Sequence, residues 1–113
     1  MSRSPISRLE DITTAISACL EYSAHITDPK FSGMAFDAIE RNLGIIGEAV
    51  NHLPKDLIAQ YPEIDWVAIV GLRNFLIHEY FAVDEEVIYE ILEKYLIPLQ
   101  TTVNLATSRL DNS

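Results

Sequence analysis

The sequence predicts an all-α protein, an antiparallel up-and-down four-helix bundle with one short extra helical turn. Three observations lead there. Apolar residues recur at steps of three and four along most of the chain. Capping and breaking residues punctuate those stretches, and the strict alternation of a half-buried strand appears nowhere. A length of 113 residues allows one hydrophobic core, near the size at which self-association helps. One domain is therefore expected over 1–113, with its core over about 5–110.

The first helix should open at Ser4-Pro5, a capping residue followed by proline at the first helical position. Ile6, Leu9, Ile12, Ile16, Leu20 and Ile26 form its apolar stripe, and Asp28-Pro29 should end it. The second should run from about Gly33 to Leu53, with Phe36, Ile39, Leu43, Ile46, Val50 and Leu53 on one face. Gly44 and Gly47 interrupt it at a cost of roughly 1 kcal/mol each relative to alanine, which a closely packed neighbouring helix would explain. Lys55 to Gln60 should make the extra turn.

Asp65 should cap a third helix that carries Trp66, Ile69, Val70 and a polar cluster beyond them. Asp84 should cap a fourth, with Glu85 and Glu86 in its first turn, where the helix dipole favours negative charge. This helix should reach about Leu110, interrupted and kinked at Pro98.

Composition narrows the function. A lone cysteine, Cys19, allows no internal disulfide and fits a reducing cytoplasm. No signal-peptide core is expected near the N-terminus, and no run approaches the roughly 18 apolar residues of a membrane span. The net charge of −9, from 8 Lys/Arg against 17 Asp/Glu, excludes a general basic face for nucleic acid. Any RNA contact must be local, around a few arginines, or the acidity serves a basic protein partner.

Chemistry concentrates in Asp65 to Asp84. There Arg73, His78 and Tyr80 sit in an apolar run with Leu72, Phe75, Leu76, Ile77 and Phe81. Residues five apart differ by about 140° around a helix, so Arg73 and His78 do not share a face. Asn74 and His78, four apart, do, and a hydrogen bond between them would orient the imidazole. Arg73 could reach the same space by its length, or by meeting a second copy across a two-fold axis. An arginine that grips phosphate and a histidine that moves a proton near neutral pH can together cleave RNA without a metal.

At these residues the sequence resembles a known family. Arg73-x4-His78-x-Tyr80 matches the signature of HEPN ribonucleases. The text from Tyr61-Pro62-Glu63-Ile64 to Asp84, together with Arg41-Asn42-Leu43, Ile45 to Ala49, and Arg8 to Ile12, is similar to HepT-like toxins. The likeness spans about residues 7 to 100. It implies an all-α homodimer in which the motifs of both chains line one cleft, acting as a metal-independent RNase of a toxin–antitoxin pair with no cofactor. It also implies an MntA-like minimal nucleotidyltransferase antitoxin as partner, which silences the toxin by moving AMP onto the motif tyrosine. Arg73 and His78 would then be catalytic, and Tyr80 the AMP acceptor. A different reading makes the chain a non-catalytic helical subunit that docks a nucleotidyltransferase or holds nucleotide; a third makes it a plain dimerising bundle.

Other residues carry weaker expectations. Arg41 and Asn42 can support the site from the second helix or equally form a solvated face, and Glu48 should pair with a nearby arginine rather than catalyse. His25 and His52, each four residues after a glutamate, lie at opposite ends of such a bundle and should not share a metal. Trp66, Tyr22, Tyr89 and Tyr95 should be core or interface, and Cys19 a small buried apolar residue.

Overall fold

Ser4 opens the first helix: its hydroxyl accepts from the Ser7 amide just ahead of Pro5, and α1 runs Pro5–Ser23. The computed structural model describes residues 4–79 and 83–112. Among them every regular element is helical. After α1 come α2 (Ser32–Asn51), α3 (Lys55–Ala59), α4 (Trp66–Val70), α5 (Leu72–Glu79) and α6 (Glu85–Ile91). A π-helical segment over Leu92–Leu96 then leads into α7 (Ile97–Asp111).

The apolar stripes meet in one core. Leu9, Ile12 and Ile16 of α1 and Ile39, Leu43 and Ile46 of α2 are almost fully buried, as are Leu76 of α5 and Leu99 and Val103 of α7. Each such side chain stabilises the fold by about 1.5–3 kcal/mol relative to exposure. α1 packs along α2 and α7, and α2 packs on its other side against α4 and α5. α2 is thus the central element.

Three expected boundaries move. α1 stops at Ser23, short of Asp28-Pro29, because the Ser23 hydroxyl takes the Leu20 carbonyl at 2.7 Å. From there Ala24, His25 and Ile26 bond back three residues rather than four. The third helix divides at Gly71, whose amide is shared between the Val67 and Ala68 carbonyls, so the Asp65-capped turn and the motif lie on separate helices. The interruption expected at Pro98 is a widened turn upstream, with the Ile97 amide bonding to the Leu92 carbonyl five residues back. Proline lacks the amide that a regular turn needs there, and a π-turn accommodates the missing bond. The caps at Asp65 and Asp84 form as expected.

A buried tyrosine ties the end of the chain to its middle. Tyr61 accepts from Arg109 Nη1 at 3.3 Å through its hydroxyl, and from Trp66 Nε1 at 3.0 Å through its carbonyl. No helix among the described residues is long and apolar enough to cross a membrane.

Candidate functional site

The two interior glycines of α2 let the motif helix approach. A β-carbon on Gly47 would stand 3.0 Å from the Val70 carbonyl oxygen, and one on Gly44 would stand 2.7 Å from Cδ of Arg73. Backbone therefore meets backbone at Gly47, and the stem of Arg73 lies across bare helix at Gly44. Buried Leu72 and Leu76 anchor α5 in the core, leaving Arg73, Asn74 and His78 exposed on its other faces. Laid across α2, Arg73 places Nη2 3.8 Å from Oε1 of Glu40, a long, half-exposed ion pair.

Arg73 there enters an open depression of about 400 Å³. Arg8 and Asp11 of α1 line it, with Arg41, Gly44, Ile45 and Glu48 of α2. Arg41 and Glu48, both singled out in the sequence, thus stand in one space with Arg73. Three of the chain's 8 Lys/Arg residues line the depression with two carboxylates, and Glu40 sits against Arg73, so the scarce cations of a protein of net charge −9 gather here in a balanced cluster.

The other expected site residues sit differently. His78 lies in the last turn of α5, outside the lining of the depression, and the hydrogen bond expected from Asn74 is not made. Glu48 pairs with His52 at 3.4 Å, not with an arginine, and the His52 Nδ1 also meets the Glu48 carbonyl at 2.8 Å. The histidine one turn ahead on the same helix satisfies that carboxylate locally. Asn42 is buried and donates to the Ala38 carbonyl at 2.8 Å, a contact within α2. His25 stands edge-on to Phe31. Trp66 and Tyr95 are half-buried, whereas Tyr22 and Tyr89 are exposed. Among the described residues no three His, Cys, Asp or Glu side chains gather as metal ligands. Tyr80, expected as the AMP acceptor, lies outside the described residues.

Cys19 is buried between α1 and α2, its Sγ 3.9 Å from the Ile39 carbonyl oxygen. Burial pushes its thiol up to about 12, so it stays neutral. Sequence reasoning gave no site role to two polar residues here: Arg8, which lines the depression, and Glu40, which pairs with Arg73. A helical wheel holds the signal for Arg8, since Arg8 and Asp11, three apart, share a face, as do Arg41, Gly44 and Glu48.

Comparison with known proteins identifies the family. Residues 12–106 match the ribonuclease HepT-like family. A Thermococcus cleftensis protein named a probable ribonuclease HepT is 36% identical over 96 residues, covering 83% of this chain and 87% of its own. A Methanocaldococcus jannaschii protein, provisionally named an RNase, is 31% identical over 99 residues, covering 86% of this chain and 91% of its own. Another M. jannaschii protein with such a name is 46% identical over 55 residues; the match takes in 49% of this chain and about half, 46%, of that relative. No solved structure matches. With the family matched from the second turn of α1 to the body of α7, the chain belongs to the ribonuclease HepT-like family.

Proposed function

We propose that the protein is an endoribonuclease that works as a homodimer of HEPN-like four-helix bundles, with Arg73 and His78 as its catalytic pair. One observation carries the reading: Arg73 of the family's motif lies in a depression with Arg8 and Arg41. That arrangement gathers three of the few cations of an acidic chain, the donors a local phosphate contact needs.

On α5 the two catalytic groups diverge by about 140°, so the site is completed by pairing Arg73 of one protomer with His78 of its partner. His78 takes the 2′-hydroxyl proton of RNA as that oxygen bonds to phosphorus. The bond to the 5′ oxygen breaks, and the leaving oxygen takes up a proton in turn. Arg73 holds the phosphate and stabilises the charge that builds on it. Asn74 orients the histidine once the dimer forms, while Arg41 and Glu48 support the phosphate side. The protein acts in the cytoplasm as the toxin of a two-component module. A nucleotidyltransferase antitoxin silences it by placing AMP on Tyr80, which sets bulk and negative charge where the RNA phosphate binds.

Mixing protomers tests this. Arg73→Ala and His78→Ala homodimers should each lose about 10²-fold or more of cleavage while remaining folded. A heterodimer of the two retains one complete site only if the groups come from different chains, so activity should return on mixing. No recovery in a verified heterodimer would overturn the shared site, and full cleavage by folded His78→Ala would overturn the catalytic role.

A further inference from the structure

We propose that Arg8 and Arg41 form a second phosphate subsite, holding the RNA phosphate beside the one that Arg73 engages. The ribonuclease reading supplies the identity of the ligand; the subsite itself rests on geometry. The depression spans α1, α2 and α5, and its volume of about 400 Å³ is roughly a dozen times a water's share of liquid volume. That is more room than one phosphate group fills.

The arginines differ in commitment. Arg73 reaches Glu40, and Arg109, far from the depression in sequence, donates to Tyr61. Among the described residues the guanidiniums of Arg8 and Arg41 have no hydrogen-bond or ion-pair partner. Arg8 is moreover only partly exposed. Arg41 is exposed, and a guanidinium without a partner keeps its planar fork of donors free to meet phosphate oxygens. The carboxylates of the lining shape the selection. Glu48 pairs with His52, and Asp11 lines the depression with Arg8, so carboxylates are interspersed with the guanidiniums in one lining. A ligand with discrete phosphates along a chain fits that pattern, and single-stranded RNA is such a ligand.

The test is binding of uncleavable 2′-O-methyl oligonucleotides, a dinucleotide and a hexanucleotide, measured by fluorescence anisotropy across a salt series. Binding requires no cleavage, so the outcome is independent of whether the protein is a nuclease. Wild-type protein should bind the hexanucleotide with the steeper salt dependence. Arg8→Ala and Arg41→Ala should each lower that slope by up to about 0.7, the full value for the one phosphate they share. They should weaken the hexanucleotide several-fold more than the dinucleotide. Arg8→Lys, which keeps the charge, should retain most of the slope. Equal weakening of both lengths would overturn the subsite by assigning the arginines to the same phosphate as Arg73. Unchanged slopes in folded variants would overturn it outright. Loss of cleavage with the length dependence intact would remove the nuclease reading and leave the subsite standing.

Discussion

Cδ of Arg73 lies 2.7 Å from the point where a β-carbon on Gly44 would stand. The position of the motif arginine therefore depends on a missing methyl group on the neighbouring helix. Gly47 has the same residue type one turn along but a different neighbour, the Val70 carbonyl, and the two glycines should separate under mutation.

Alanine at position 44 meets a flexible side chain, which can swing away. Gly44→Ala should leave stability unchanged or raise it by up to about 1 kcal/mol, the gain in helix propensity. By displacing Arg73 it should lower RNA cleavage by roughly tenfold or more. Alanine at position 47 meets backbone that cannot move without shifting α4. Gly47→Ala should lower stability by about 1–3 kcal/mol, the usual cost of overpacking. Thermal melts beside a cleavage assay check both; equal behaviour of the two variants would contradict the packing described.

Cys19 makes stability depend on pH at the alkaline end. Its folded value, pushed up to about 12, lies above the 9.0 of a free thiol. Between those values the unfolded chain loses a proton that the folded one keeps, so stability is intact below about pH 9 and falls as pH rises toward 12. Cys19→Ala should flatten that fall while costing stability at neutral pH through the small cavity it leaves. Urea melts at pH 8 and pH 10.5 measure the difference, and labelling by iodoacetamide should proceed only at the rate of opening.

Asp84 accepts from the Glu86 amide at 3.1 Å and the Val87 amide at 3.3 Å, capping the helix that follows the motif. Asp84→Ala should cost about 1 kcal/mol. Asp84→Asn keeps the acceptor and should recover most of it, which differential scanning calorimetry can resolve.

The sequence revealed the core where local chemistry and packing agree. The Phe36 to Leu53 stripe and the caps at Ser4, Asp65 and Asp84 were legible because each is set by side chains within a turn or two, and the close approach at Gly44 and Gly47 because interior glycines mark a packed neighbour without naming it. The split at Gly71 was not, since a helical residue and a hinge glycine look alike in composition; the division depends on how α4 and α5 seat separately on α2. The π-turn was foreseen only as an interruption at Pro98, because proline marks the defect without selecting its form. At the candidate site, Arg41, read as either a support or part of a solvated face, is exposed and lines the depression with Arg73. The choice of His52 by Glu48 was missed because a partner on the same helix competes better than one across a gap. For Arg8 the helical wheel gives the face it shares with Asp11, but which residues of α2 that face adjoins depends on the packing of α1 on α2, which periodicity does not encode.

The motif helix is thinly held. Among the described residues α5 spans Leu72–Glu79 and buries only Leu72 and Leu76, with Gly71 before it separating it from α4. Isolated helices this short are marginal in water, so α5 persists by leaning on α2. On warming, the amides of α5 should exchange with solvent before those of α1 and α2, and catalysis should fade while the bulk of the protein is still intact. A chain built this way carries its own thermal cut-off, set by one small segment rather than by the whole.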